Sequence, residues 1–64
     1  VEFSLPNEND YYQVKVILHD AKGERQIYDE LHEAGDNITL GVNYFGSASL
    51  EIKLNNRPFK TYKL

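Results

Sequence analysis

The sequence predicts an all-β domain, a sandwich or partly open barrel of about six antiparallel strands. Three observations carry that expectation. Apolar and polar residues alternate in several runs, the period-two signature of half-buried strands. Clusters of Gly, Asn and Asp separate those runs at the spacing of small β domains, roughly 8–12 residues. The i, i+3, i+4, i+7 apolar spacing of an amphipathic helix is missing from the same segments.

Taken in order, residues 1–5 alternate and read as an edge strand stopped by Pro6, with Asn7-Glu8-Asn9-Asp10 as a polar link. Tyr12, Val14, Val16 and Leu18 then fall on one face, opposite Gln13, Lys15, Ile17 and His19. Asp20-Ala21-Lys22-Gly23 turns the chain into a second strand over residues 24–31. Ile27, Tyr28 and Leu31 would also share a helical face, but the short length and the flanking turns favour a strand. Ala34-Gly35-Asp36-Asn37 ends it. Ile38, Leu40, Val42 and Tyr44 alternate with Thr39, Gly41 and Asn43, which predicts a strand over 38–44. Tyr44-Phe45-Gly46 bends the chain into Ala48, Leu50, Ile52 and Leu54, opposite Ser49, Glu51 and Lys53. Asn55-Asn56 is a two-residue type I′ turn, because Asn tolerates the left-handed conformation that both positions require. The last strand covers 57–64, with Pro58 near its start, where a missing N–H is tolerated. Gly23, Gly35, Gly46, Asn55 and Asn56 are thus the structural turn-makers.

Composition narrows the function. The chain has 64 residues and no cysteine, so disulfides, Cys-based zinc sites and thiol nucleophiles are ruled out and packing alone holds the core. Such a domain retains only about 3–5 kcal/mol. The chain does not open on Met and is expected to be a single domain cut from a larger protein. Seven Lys and Arg against ten Asp and Glu give a net charge of −3, and the cations are scattered, which argues against nucleic acid as a partner. No apolar run approaches the roughly 20 residues of a membrane span, so no membrane insertion by this segment is expected.

Reactive constellations are sparse. His19 precedes Asp20 and His32 precedes Glu33, but hairpin pairing places the two histidines at opposite ends, too far apart to share an ion. Asp29, Glu30, Glu33 and Asp36 do not match a calcium loop, and alternation sends Asp29 and Glu30 to opposite faces. They read instead as a solvated acidic edge that discourages sheet-to-sheet aggregation. Ser4, Ser47 and Ser49 lie in no Gly-x-Ser-x-Gly elbow, and the four glycines are spread over separate turns, leaving no phosphate-cradling loop. No catalytic residue, metal or cofactor is expected. The aromatics remain. Tyr12 and Tyr44 are in phase with the core, whereas Tyr11, Tyr28, Phe45 and Tyr62 are the candidates for an exposed binding patch. Tyr28 is out of phase with Ile27, so one of the two must look outward.

The runs Val14-Lys15-Val16, Asp20-Ala21-Lys22-Gly23-Glu24-Arg25, Ile27-Tyr28, Glu33-Ala34-Gly35-Asp36 and Tyr44-Phe45-Gly46-Ser47-Ala48, in that order, carry a resemblance. The chain resembles, over residues 14–54, the tail domain that follows the PASTA repeats in membrane-anchored serine/threonine protein kinases of Gram-positive bacteria. The resemblance implies an immunoglobulin-like sandwich on the extracellular face of the membrane. It also implies a non-catalytic module of a wall-sensing receptor kinase, with peptidoglycan fragments or another wall protein as partner, or a spacer, monomeric in isolation. Gly23, Gly35 and Gly46 match the pattern as turn-makers. No kinase residue carries over, and no PASTA repeat is present. A carbohydrate-binding module of a polysaccharide- or wall-acting enzyme is the alternative, and it requires two or three coplanar aromatics on one exposed face.

Overall fold

The computed structural model describes residues 1–64 and contains no helix. The strands are β1 (Glu2–Ser4), β2 (Tyr11–Asp20), β3 (Gly23–Glu33), β4 (Asn37–Thr39), β5 (Ser49–Leu54) and β6 (Arg57–Lys63). They form two antiparallel sheets, β1-β4 and β3-β2-β5-β6. Read as B, C, C′, E, F and G, these strands take the order B-E against C′-C-F-G. That is the immunoglobulin arrangement with A and D unrepresented. The long β2–β3 hairpin sets the long axis of a body measuring 36 × 19 × 15 Å.

Alternation produces the core directly. Tyr12, Val14, Val16 and Leu18 of β2 lie beside Leu50, Ile52 and Leu54 of β5, all buried, with Val14 paired to Leu54, Val16 to Ile52 and Leu18 to Leu50. Phe3 and Leu5 from the β1 end and Ile38 from β4 cover them. Each fully buried aliphatic side chain contributes about 1.5–3 kcal/mol, and Val14, Val16, Leu18, Leu50 and Ile52 are all fully buried. The opposite face of the large sheet carries Gln13, Lys15, His19, Glu51 and Lys53, part-shielded and facing solvent.

Two expectations change. The alternation over 38–44 does not make a seven-residue strand, because β4 spans Asn37–Thr39 only. Its partner is the short β1, and the ladder closes with Leu40 N–H donating to Val1 O and the Val1 amino group donating to Leu40 O. Beyond that pair no strand lies alongside Leu40–Phe45 backbone: Leu40 and Val42 stay half-buried against the core, but Tyr44, expected in phase with it, is exposed because no ladder carries the alternation that far. The second strand runs two residues further than the turn signals indicate, to Glu33, because Tyr11 and Tyr12 pair with Glu33 and His32.

Each hairpin contains a bulge. On β3, Ile27 is the extra residue opposite the Val16/Ile17 step, which resolves the phase conflict: Tyr28 packs on the core and Ile27 turns outward. On β6, Phe59 is the extra residue opposite the Ile52/Lys53 step, and its ring lies 6.4 Å from that of Phe3. Val16 and Ile52 are themselves paired, so both bulges flank one row of the sheet. The turns use left-handed backbone: φ is 52° at Asn55 and 66° at Asn56, the type I′ pair, and 112°, 79° and 67° at Gly23, Gly35 and Gly46.

Candidate functional site

One end of the sandwich is organised by Asp20. Its side chain is 0 % exposed and accepts both Arg25 guanidinium N–H groups at 3.0 Å, the Lys22 backbone N–H at 2.9 Å and the Phe45 backbone N–H at 3.1 Å. The Arg25 hydrogen bond, reinforced by the two backbone donors, holds this carboxyl well below the usual carboxylate range against the opposing effect of burial. Ala21 N–H donates to Phe45 O at 2.9 Å, and the Lys22 ammonium lies 3.9 Å from the Phe45 ring centroid. The β2–β3 turn and the 44–46 bend are thereby one structural unit. Nearby, His19 presents one ring nitrogen to Glu24 at 4.0 Å and the other to Glu51 at 3.7 Å. Ser49 is directly across from His19 in the β2–β5 ladder.

At the other end of β3, Tyr28, His32 and Asp36 form a line that sequence reasoning did not find. The Tyr28 hydroxyl lies 2.5 Å from His32 Nε2, and His32 Nδ1 lies 3.3 Å from Asp36 Oδ2. Assigned from this network, the tautomer has Nδ1–H donating to Asp36 and Tyr28 O–H donating to Nε2. Burial, together with the Glu30 carboxylate, raises the Tyr28 phenol above its ordinary value of 10.0. The line is a polar latch between β3 and the Gly35 corner.

The end of the sandwich near the Asn55-Asn56 turn holds an open cavity of about 530 Å³. Tyr12, Asn55, Arg57, Pro58 and Phe59 line it. The Tyr12 hydroxyl accepts the Glu8 and Asn9 backbone N–H groups at 3.1 and 3.0 Å, which pins the 7–10 link over the cavity. Asn55 Oδ1 accepts the Gln13 N–H at 2.9 Å. The Arg57 cation, the Asn9 and Asn55 amides, the Glu8 carboxylate and an aromatic wall thus share one opening, which offers hydrogen-bond donors and acceptors to a polar ligand.

The four candidate aromatics are not gathered on one face. Tyr11, 58 % exposed, opens β2 opposite Glu33, while Phe45, 50 % exposed, stands at the other end of β2 beside Lys22. Tyr28 and Tyr62 lie on the two outer strands and pack against the core. Gly23, Gly35, Gly46, Asn55 and Asn56 all occupy turns. The acidic residues Asp29, Glu30 and Glu33 are exposed on β3, which is an edge strand.

Family models, curated proteins and solved structures all return no match to this chain.

Proposed function

We propose that the domain is a non-catalytic module on the extracellular side of a wall-sensing receptor serine/threonine kinase, where it contacts peptidoglycan fragments. The observation that supports this reading is the Asp20 corner. Asp20-Ala21-Lys22-Gly23-Glu24 and Tyr44-Phe45-Gly46 are two of the motifs on which the resemblance rests, and they bond to each other through Asp20 and Ala21. The motifs therefore have a joint structural purpose, which short turn sequences met by chance do not need. In this reading the cavity lined by Glu8, Tyr12, Asn55, Arg57 and Phe59 takes the ligand, because a muropeptide stem supplies carboxylates for Arg57 and amides for Asn55 and Glu8.

The test is a ¹⁵N–¹H NMR titration with muropeptides and, separately, with glycan oligomers lacking the stem. The expected result is a set of shifts centred on Asn55, Arg57 and Phe59 that requires the stem. Shifts produced equally by bare glycan argue for a sugar-binding module, and a spectrum unmoved by either ligand leaves only the spacer role. The parent reading frame checks the receptor assignment: it must encode a kinase domain, one membrane span and PASTA repeats.

A further inference from the structure

The two free edges of the four-stranded sheet carry opposite charge. The β3 edge exposes Glu24, Asp29, Glu30 and Glu33, and its one cation, Arg25, is taken up by Asp20. The β6 edge exposes Arg57, Lys60 and Lys63 and has no acid. Charges on an edge strand guard against pairing with another sheet. That guard works between like edges, since β3 against β3 opposes acids and β6 against β6 opposes cations. Between unlike edges it becomes an attraction.

The registers put the complementary groups at the same height. One row across the sheet reads Glu30, Val14, Leu54, Arg57, and another reads Glu24, His19, Ser49, Lys63. A second copy set beside the first in the same orientation therefore brings its Arg57 next to Glu30 and its Lys63 next to Glu24. Strand direction agrees. Every neighbouring pair in β3-β2-β5-β6 is antiparallel, so β3 and β6 run in opposite directions and meet as an antiparallel pair.

Hydrogen-bond parity agrees as well. Asn55 N–H donates to Gln13 O, so the Gln13 main chain faces β5, and alternation turns that of Val14 to β3. Carried across the registers, this leaves the amides of Asp29, Gln26 and Glu24 pointing out from β3 and those of Pro58, Thr61 and Lys63 pointing out from β6. These residues occupy the same rows in pairs: Asp29 with Pro58, Gln26 with Thr61 and Glu24 with Lys63. The latter two rows close reciprocal bonds, while Pro58 offers only its carbonyl. Because the bulges at Ile27 and Phe59 flank one row, neither edge falls out of step with the other.

We infer that the β3 edge of one copy receives the β6 edge of a second copy, extending the sheet head to tail through Gln26–Thr61 and Glu24–Lys63 backbone pairs and Glu30–Arg57 charge pairing. Such a contact is heterologous and does not close on itself. Its ion pairs are exposed, so the contact is weak and salt-sensitive, and dilute protein is monomeric.

Sedimentation equilibrium tests it. At about 1 mM protein and about 20 mM salt, the weight-average mass is expected to exceed the 7.4 kDa monomer, and at about 1 M salt to return to it. The double variants Glu24→Lys/Glu30→Lys and Arg57→Glu/Lys63→Glu are each expected to stay monomeric, and their equimolar mixture to recover the mass. With wild-type protein alone, raising the concentration is expected to shift the Gln26 and Thr61 amide resonances, a readout that needs no variant. A constant 7.4 kDa mass with unmoved Gln26 and Thr61 amides overturns the inference. So does an association that high salt leaves intact.

Discussion

The Asp20 carboxylate accepts the Phe45 backbone N–H across 25 positions of sequence, at 3.1 Å. This bond, with Arg25 and Lys22 on the same carboxylate, fixes the tip of the β2–β3 hairpin to a segment that has no ladder of its own. A chain of 64 residues without disulfides relies on such ties to order its long connections.

Asp20→Asn keeps the shape but sets an NH₂ group against donors that need an acceptor, so the melting temperature at pH 7 is expected to fall. The pH dependence has a defined sign. The folded-state pKa of Asp20 is depressed, so its stabilisation is complete above the ordinary carboxylate value of 3.8 and is lost as pH falls below it. The gap between wild type and variant is therefore expected to narrow in acid. Thermal unfolding from pH 7 down to strongly acidic solution measures it, and equal melting temperatures at pH 7 refute it.

Gly46 and Gly35 have φ of +67° and +79°, and a Cβ at either would meet Ala21 Cβ or Asn7 Oδ1 at 3.1 Å. Gly46→Val and Gly35→Val are expected to cost about 1–3 kcal/mol each. For a domain of this size that lowers the melting temperature by about 4–8 °C per kcal/mol. Gly41→Ala, where nothing lies within 4 Å, serves as the control and is expected to leave it nearly unchanged. Unchanged stability in both valine variants contradicts the turn assignment.

Leu50 is fully buried at the centre of the core, and Leu50→Ala is expected to remove about 2–5 kcal/mol. That matches the roughly 3–5 kcal/mol available to the whole domain, so the variant should be largely unfolded at 25 °C. Ile52→Val, at an equally buried site, should lose about 0.5–1.5 kcal/mol and stay folded. Circular dichroism during urea titration distinguishes the two.

Tyr28→Phe removes the O–H that donates to His32 and is expected to cost about 1 kcal/mol at neutral pH. Because the Tyr28 pKa is raised in the folded protein, its contribution is complete below 10.0 and is lost as pH rises through the raised value. The wild type should accordingly lose stability in alkali more steeply than the variant. Matching slopes above pH 10.0 in urea unfolding would rule out the burial assigned to this phenol.

Legibility followed the number of buried neighbours. β2 and β5 were readable because every second residue is buried against a paired strand, as in Val16 and Ile52. β3 was harder to read, since the extra residue at Ile27 resets the period halfway along and an edge strand has few apolar positions. The alternation of Leu40, Val42 and Tyr44 held as burial for Leu40 and Val42, failed at the exposed Tyr44 and misled as pairing, because a ladder requires a partner that local pattern does not encode. Asn55-Asn56 was legible from turn chemistry alone. The Tyr28–His32–Asp36 line was not, because it depends on a Tyr side chain leaning along its own strand and on the Gly35 corner returning Asp36 to meet it.

The paired bulges also govern how this chain tolerates changes in length. Deleting Ile27 would remove the extra residue itself, leaving Tyr28 opposite Val16 and Gln26 opposite Ile17 in a regular ladder with Tyr28 and Arg25 still on the core face. Deleting Phe59 would likewise make β6 regular, with Lys60 opposite Ile52 and Pro58 opposite Lys53, but leave Phe3 without its ring partner. Changes in length should accordingly be tolerated in the 7–10 and 40–48 connections and at the Ile27 bulge, and be excluded from β2 and β5, which are paired on both sides and have no residue to spare.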